Sequence, residues 1–324
     1  MWSSMHTLKV MNRNLGGSEM KEIIEMLPES ISYQIKLLHP KSMSRIEEIR
    51  IRIRKRVEVI IAGKPIYLSY EVTYDDTINL LNELSNYSIY TLEEELRKGY
   101  ITVKGGHRVG LSGRVITENG RVKAIRDVTS FNIRIAKERI GISERYIPYL
   151  YDGNWLNTLI IGPPQTGKTT LLRDFARVIS SGYKQIEAKK VCIVDERSEI
   201  AGCVQGVPQH QFGERVDVLD ACPKAEGMMM MIRSMSPDVL IVDEIGTKED
   251  AVAVMEAVHA GVQLLVSVHG HHASELKNRP SLKMLFEAKV FDRFLELSRK
   301  DGPGTVQQIL DQNGRDFTLE RRVR

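Results

Sequence analysis

Hydrophobic and polar positions alternate strictly near the start of the chain, and this pattern predicts a β-strand. Between residues 45 and 54, three isoleucines alternate with three arginines: Ile49, Ile51 and Ile53, and Arg50, Arg52 and Arg54. Successive side chains of a strand point to opposite faces, so this strand would have one apolar face and one basic face. Apolar runs at residues 57–61 and 66–68 predict two further strands beside it.

Helical patterns and more strands follow up to about residue 125. Ile78 and Leu81 lie at helical spacing within residues 75–84. Thr91 followed by Glu94 forms a capping box at the start of a second predicted helix. Strands are then predicted at residues 100–103, 109–116 and 122–125. We therefore predict a smaller α+β domain over residues 20–148, preceded by a poorly patterned leader at residues 1–19.

The remaining chain alternates short apolar strands with helix-compatible segments. These strands are predicted at residues 158–161, 191–194, 239–242 and 264–268. Such alternation is typical of an α/β domain, in which a mostly parallel sheet has helices on both faces. The stretch at residues 140–157 lacks sustained periodicity, so we place the domain boundary near Tyr149 and the second domain at residues 149–324.

Composition limits the classes of function. The chain has 324 residues, enough for two domain-sized cores, and a net charge of +4, which permits an anionic partner without requiring one. Its three cysteines, Cys192, Cys203 and Cys222, lack the spacing of a disulfide framework or a zinc site, and a reducing cytosol fits best. The most apolar later stretch, residues 251–268, carries Glu256, His259 and Gln263 and is interrupted by Gly261, so we predict no membrane span and only a peripheral membrane role.

A phosphate-binding loop is predicted between the strand at residues 158–161 and the next helix. The loop matches the Walker A pattern G-x-x-x-x-G-K-[ST]. The predicted nucleotide contacts are Gly162, Pro163, Pro164, Gln165, Thr166, Gly167, Lys168, Thr169 and Thr170. Backbone N–H groups would cradle the phosphates of ATP, while Lys168 would reach the β- and γ-phosphates and the Thr169 hydroxyl would ligate Mg²⁺. Glycine is common at the position of Gln165, so we expect a slightly stiffer loop here.

A second element of the site is the apolar strand at residues 239–242, which ends in Asp243 and Glu244. Alone, such a pair is usually an ordinary strand end. Downstream of a phosphate-binding loop it predicts a Walker B strand, in which Asp243 holds Mg²⁺ or its water shell and Glu244 orients the attacking water. The sequence therefore predicts an Mg²⁺-dependent ATPase.

Two further groups follow strands of the same predicted sheet. Glu196 and Glu199 lie in an acidic cluster after residues 191–194, where they would either face the ligand crevice or form a solvated charged turn. His269 follows residues 264–268, where it would sense the γ-phosphate. His271 and His272 are close by, but no cysteine or carboxylate stands at zinc-ligand spacing, so we expect no stable metal other than Mg²⁺.

The order of these motifs resembles that of the RecA-like ATPases of type II and type IV secretion and pili. In that family the four motifs are a Walker A, an acidic box, a Walker B and a histidine box. The resemblance places Glu196 or Glu199 in the acidic box and His269 in the histidine box. Many members have glycine where this chain has Asp243, which makes direct coupling of this aspartate to Mg²⁺ more plausible here.

A closer resemblance is to the stage III sporulation protein AA family, from about Met20 onward. It is carried by residues 105–111, the phosphate-binding loop, Leu172-Arg173-Asp174 and residues 194–197. It implies an ATPase in the mother-cell cytoplasm, peripherally attached to the outer forespore membrane, that powers a channel complex of membrane proteins. It also implies a homo-hexamer with ATP between subunits, and the candidate trans-acting arginines are Arg108, Arg114, Arg215 and Arg233.

The sequence is also compatible with two other functions. A nucleic-acid-dependent ATPase would use the basic strand face to follow phosphates, although that face has no aromatic residues for base stacking. A nucleotide-gated scaffold would bind ATP without hydrolysing it. The arginine face itself would meet a neighbouring subunit, a partner tail or anionic lipid, or would simply be a solvated sheet edge.

Overall fold

The computed structural model describes residues 17–85, 96, 99–300 and 304–318. The chain divides into two compact units, Met1–Lys137 and Glu138–Arg324. The helix predicted from Thr91 and Glu94 lies outside the described residues. In the described part of the chain, no helix combines the length and the apolar character that crossing a bilayer requires.

The first unit is a sheet with helices packed on it. Its described helices are Gly17–Met26 (α1), Glu29–Lys36 (α2), Pro40–Met43 (α3) and Tyr74–Leu84 (α4), with a 3₁₀ turn at Lys104–Gly106. Its strands are Ile46–Arg52 (β1), Arg56–Ile61 (β2), Lys64–Glu71 (β3), Tyr100–Val103 (β4), His107–Glu118 (β5) and Arg121–Arg134 (β6). The sheet order is β3-β2-β1-β6-β5-β4, and all neighbours are antiparallel.

The predicted apolar face of β1 is buried, but two arginines of its predicted basic face are paired with glutamates. Ile49 and Ile51 are fully buried in the core of the first unit. Arg50, however, forms a 2.9 Å ion pair with Glu48, and Arg52 forms a 2.6 Å ion pair with Glu58. Strand β1 ends before Arg54, which lies in the following turn with φ of 58°. Two of the three arginines of the predicted basic face are thus neutralised within the sheet.

The two ends of the first unit differ from the predicted domain bounds. Helix α1 begins at Gly17, inside the predicted leader. At the other end the unit stops at Lys137, before the predicted boundary at residue 148. Residues 140–157 belong to the second unit because Tyr146, Ile147 and Leu150 are buried in its core. The helical elements in this segment are only a 3₁₀ turn at Glu144–Tyr146 and a single helical turn at Ile147–Leu150. Elements this short produce no detectable hydrophobic periodicity in the sequence.

The second unit is an α/β sandwich. Its described helices are Ile147–Leu150 (α5), Lys168–Ser181 (α6), Lys224–Met235 (α7), Lys248–His259 (α8), Ala273–Leu276 (α9) and Lys283–Glu287 (α10). Its strands are Thr158–Ile161 (β7), Val191–Asp195 (β8), Val216–Asp220 (β9), Val239–Val242 (β10), Gln263–Val268 (β11), Arg293–Ser298 (β12) and Thr305–Asp311 (β13). The sheet order is β13-β12-β7-β11-β10-β8-β9, and only the β12–β13 pair among these strands is antiparallel.

Helices on both faces explain why the central strands are mostly apolar. Successive residues of β7 alternate between two cores: Leu159 packs in one and Ile160 in the other. The first core contains Met228 of α7 and Val254 of α8. The second contains Phe175 of α6. A central parallel strand covered on both faces is therefore apolar at nearly every position, as the sequence pattern indicated.

Asp174 of α6 fastens the segment after Lys137 to the second unit. Its carboxylate accepts hydrogen bonds from the backbone N–H groups of Gly141 (3.0 Å) and Ser143 (2.8 Å), from the Ser143 hydroxyl (2.7 Å) and from Arg177 Nε (2.7 Å). Burial alone would raise the pKa of Asp174, but hydrogen bonds from Arg177, Ser143 and Gly141 lower it below the usual 3.8.

We expect Asp174→Ala to lower the free energy of unfolding by about 3 kcal/mol, because it leaves buried donors and Arg177 without their partner. Urea denaturation at neutral pH measures this loss, and Asp152→Ala, at an exposed position, is expected to cost no more than about 0.5 kcal/mol. Since the pKa of Asp174 is depressed in the folded state, its contribution is complete above pH 3.8 and is lost as the pH falls below that value. If the difference in free energy of unfolding between wild type and Asp174→Ala did not decrease at acid pH, this explanation would be contradicted.

Candidate active site

Parallel strands bring the predicted site residues to one edge of the sheet. Val268 of β11 lies beside Ile161 of β7, and Val242 of β10 lies beside Val266 of β11 and Val194 of β8. The residues that follow these strands therefore emerge at the same carboxyl edge, where open α/β sheets bind ligands. The phosphate-binding loop, Asp243 and Glu244, the acidic cluster and His269 all begin there.

The phosphate-binding loop encloses the Lys168 side chain. Lys168 is only 4% exposed, and its Nζ donates hydrogen bonds to the carbonyl oxygens of Gly162 (2.8 Å) and Pro163 (3.2 Å). Burial lowers the pKa of Lys168, and the negative charges of Asp243, Glu244 and Glu199 oppose that effect. An ammonium group inside a loop of backbone amides is the arrangement that a phosphate chain requires.

Backbone conformation within the loop explains two of its residues. Gly167 has φ of 89°, which favours glycine, and it precedes the first residue of α6. Gln165 also has positive φ, 62°, at the position where many such loops carry glycine. Arg299 donates hydrogen bonds from Nη2 to the Pro164 carbonyl oxygen and to Gln165 Oε1. Arg299 therefore contacts both the backbone and a side chain of the loop.

Thr169 and Asp243 meet directly. Asp243 Oδ2 accepts a 2.5 Å hydrogen bond from Thr169 Oγ1, and Asp243 Oδ1 accepts one from Ser267 Oγ. Burial raises the pKa of Asp243, while the hydrogen bonds from Ser267 and Thr169 oppose that shift. A hydroxyl and a carboxylate side by side next to a phosphate cradle are hard oxygen donors, which suit Mg²⁺. The residues present therefore fit the predicted metal.

Glu244 is held by two neighbouring elements. Its Oε1 lies 2.8 Å from His269 Nε2, and its Oε2 accepts a 3.0 Å hydrogen bond from Arg197 Nη1. Its backbone has φ of 58°, and its N–H donates to Ser267 Oγ at 3.0 Å. Left-handed backbone at a glutamate is uncommon and clusters at functional positions. Ser267, which contacts both carboxylate residues, was not predicted, because it lies inside an apolar strand.

His269 connects Glu244 with the phosphate-binding loop. Its Nδ1 lies 3.3 Å from Lys168 Nζ. Because an ammonium group can only donate, Nδ1 acts as the acceptor, and the ring proton on Nε2 is directed to Glu244. His272 instead contacts Glu296 at 2.8 Å, and the His271 N–H donates to Glu275. Within the described ranges, no three histidine, cysteine or acidic residues are grouped to hold a metal ion.

The acidic cluster at residues 195–199 contains one buried acidic residue, Asp195, and two half-buried ones, Glu196 and Glu199. Asp195 is buried, and burial raises its pKa to about 6 although its carboxylate accepts three backbone hydrogen bonds. Glu196 pairs with Lys224. Glu196 and Glu199 line one crevice together with Asp243 and Glu244. The structure thus brings both predicted acidic-box residues to the Walker B carboxylates.

The four candidate trans-acting arginines have different surroundings. In the first unit, Arg108 stacks on the Tyr100 ring at 3.7 Å, and Arg114 lies opposite Arg126 in the β5–β6 ladder. In the second unit, Arg215 Nη1 donates to the Ala188 carbonyl oxygen at 2.6 Å, and Arg233 lines a groove between α7 and α8. Arg197 was not among the candidates, although it lies inside the acidic cluster.

The chain is similar to known proteins over most of its length. A family model described as sporulation stage III, protein AA, matches residues 18–317. Stage III sporulation protein AA of Bacillus subtilis (strain 168) is 63% identical over 295 residues, covering 91% of this chain and 96% of that protein. Protein SEEDLING PLASTID DEVELOPMENT 1 of Arabidopsis thaliana is 33% identical over 171 residues, which are 51% of this chain and 24% of that protein.

Two solved structures share the fold. The pilus retraction motor PilT with bound ADP aligns with a TM-score of 0.56 at 14% identity, over 79% of this chain and 75% of that one. The Legionella pneumophila ATPase DotB aligns with a TM-score of 0.54 at 14% identity, over 77% and 71% of the two chains. The predicted fold class is confirmed: a RecA-like α/β domain with a mostly parallel sheet and helices on both faces, preceded by a smaller α+β domain.

Proposed function

The chain belongs to the sporulation stage III protein AA family, and on this basis we propose that it is an ATP-hydrolysing motor of the secretion-ATPase type. One observation carries the proposal. Lys168, Thr169, Asp243 and Glu244 converge at the carboxyl edge of the sheet, with Lys168 inside the loop and Thr169 in contact with Asp243. These are the groups that a hydrolytic phosphoryl transfer needs, since it depends on positioning and on stabilising charge.

Each residue then has a separate task. The backbone of residues 162–170 binds the phosphates of ATP, and Lys168 exchanges its carbonyl partners for phosphate oxygens. Thr169 and Asp243 would hold Mg²⁺, which would supply positive charge to neutralise the phosphates. Glu244 orients the attacking water and accepts its proton. Glu196 and Glu199 line the crevice beside Glu244. His269 contacts both Lys168 and Glu244, so it senses whether a phosphate is bound at Lys168 and transmits this to Glu244.

We further propose the setting in which this motor works. The similarity to a sporulation protein supports a role in endospore formation, and the shared fold with DotB and PilT supports mechanical work on a channel or secretion complex. The expected assembly is a homo-hexamer in which Arg108, Arg114, Arg215 or Arg233 acts in trans. The expected location is the mother-cell cytoplasm, peripherally attached to the outer forespore membrane and bound to membrane proteins there.

A nucleic-acid-dependent ATPase is less well supported than a membrane-coupled motor. The predicted basic strand face is partly neutralised, because Arg50 pairs with Glu48 and Arg52 with Glu58. Phosphate tracking would need these arginines to leave their glutamates, and the face lacks aromatic residues for stacking.

The experiment that tests this proposal is affinity capture from membranes of sporulating cells. The bait is the Glu244→Gln protein loaded with ATP, which is expected to retain nucleotide and therefore its motor partners. We expect membrane proteins in the captured material and no specific nucleic acid. The same capture with Glu249→Gln, at an exposed position, provides a bait that hydrolyses ATP normally. Recovery of nucleic acid without membrane proteins would contradict the proposed function.

A further inference from the structure

Two sequence motifs that the proposed mechanism leaves unused meet in the structure. The first is Arg173, in the Leu172-Arg173-Asp174 motif of α6, and the second is Arg197 of the acidic cluster. Arg173 Nε donates a 2.7 Å hydrogen bond to the carbonyl oxygen of Ile200, and its Nη2 donates a 2.5 Å hydrogen bond to that of Glu199. The helix that begins in the phosphate-binding loop therefore holds the loop that carries Arg197.

The same loop is held from its other side by Asp195. This buried carboxylate accepts hydrogen bonds from the backbone N–H groups of Glu199 (2.8 Å), Ile200 (2.9 Å) and Ala201 (2.8 Å). Ser198 has φ of 52°, and its hydroxyl donates a 2.6 Å hydrogen bond to Asp220. With its N–H groups and its carbonyl oxygens both satisfied by side chains, the loop has a defined conformation immediately after Arg197.

From this loop Arg197 reaches across to Glu244, 47 residues further along the chain. Arg197 Nη1 donates to Glu244 Oε2 at 3.0 Å, while His269 Nε2 lies 2.8 Å from Glu244 Oε1. The two carboxylate oxygens are thus held by two different elements, and the carboxylate plane is fixed. A catalytic group gains rate from such fixed orientation before its substrate arrives.

We propose that Arg197 is the positioning residue for Glu244, and that Arg173 and Asp195 set the position of Arg197. This inference rests on the proposed function, because it assigns Arg197 a role only through the action of Glu244 on water. The side chain of Arg197 is 61% exposed, and ion pairs of that kind contribute little to stability. Loss of Arg197 therefore affects turnover without unfolding the protein.

The test compares full-length Arg197→Ala and Arg197→Lys with wild type in steady-state ATP hydrolysis. For Arg197→Ala we expect kcat to fall about tenfold, with KM and the Kd for a fluorescent ATP analogue within about twofold of wild type. Arg197→Lys keeps one donor and is expected to recover part of the loss. Arg145→Ala removes another exposed arginine of the same unit and is expected to keep the wild-type rate.

A double-mutant cycle separates positioning from general damage. In a Glu244→Gln background, Arg197→Ala is expected to lower single-turnover hydrolysis by no more than about twofold, since its target is already changed. A wild-type kcat for Arg197→Ala, or a tenfold loss in both backgrounds, would overturn the assignment while the proposed function stands. Absence of wild-type turnover in every oligomeric state, with or without partners, would overturn both.

Discussion

Replacing Glu244 with glutamine is expected to lower kcat for ATP hydrolysis about 100-fold to 1000-fold while leaving the Kd for ATP within about threefold. Glutamine has nearly the same size and still accepts a hydrogen bond from Arg197, but it cannot take a proton from the attacking water. The phosphate-binding loop and the Thr169–Asp243 contact do not involve the Glu244 side chain, so nucleotide binding is retained.

The measurement is phosphate release at saturating ATP, with Kd determined by calorimetry on the same preparations. Glu249→Gln is the matched control, because this carboxylate is exposed in the first turn of α8 and is expected to keep the wild-type rate. A Glu244→Gln rate within twofold of wild type would show that Glu244 does not activate water. A wild-type protein that binds ATP and never hydrolyses it would instead support the nucleotide-gated scaffold.

The central strands and the local motifs of the site were predictable from the sequence for a physical reason. Strands β7 and β10 are buried on both faces, so all their residues except Thr158 are apolar, and their bounds match the predicted ones. Lys168, Asp243 and Glu244 follow these strands closely, and the short sequence motifs that contain them can be recognised directly in the sequence. His269 was predicted in the same way, from its position directly after β11.

Strands β9 and β12 of the second sheet gave no such signal. Strand β9 is only half-buried and contains Asp217 and Asp220, so it does not read as an apolar run. Strand β12 contains Arg293 and Glu296; Glu296 is buried because it accepts hydrogen bonds from the Ala273 N–H and contacts His272. Burial of a charged side chain depends on partners distant in sequence, and pattern analysis does not see them.

The same limit explains what was missed in the candidate site. Arg197 was visible within the acidic cluster, but its contact with Glu244 depends on the order of β8 and β10 in the sheet. Ser267 contacts Asp243 and Glu244 from within β11, where a serine reads as an ordinary interruption of an apolar strand. Contacts between strands adjacent in space but distant in sequence require the topology before they can be assigned.

Removing the ammonium group in Lys168→Ala is expected to weaken ATP binding at least about 100-fold, because the β- and γ-phosphates lose their buried positive charge. Binding can be read as ligand-linked stability. At 100 times its Kd, ATP with Mg²⁺ should stabilise wild type by about 2.7 kcal/mol, and Lys168→Ala should lose nearly all of that gain. Lys283→Ala, which removes a 63% exposed lysine, is expected to retain it.

Without nucleotide, the Lys168→Ala protein is nevertheless expected to have a free energy of unfolding within about 1 kcal/mol of that of wild type. Burial lowers the pKa of Lys168 below its usual 10.5, so at neutral pH the folded state holds this proton less tightly than the unfolded chain does. Loss of that unfavourable charge offsets loss of the hydrogen bonds to Gly162 and Pro163. Urea denaturation without nucleotide measures the difference in free energy of unfolding between Lys168→Ala and wild type. A large loss of stability together with the loss of binding would mean that Lys168 supports the fold, and full ligand-linked stabilisation of Lys168→Ala would contradict its assignment to the phosphates.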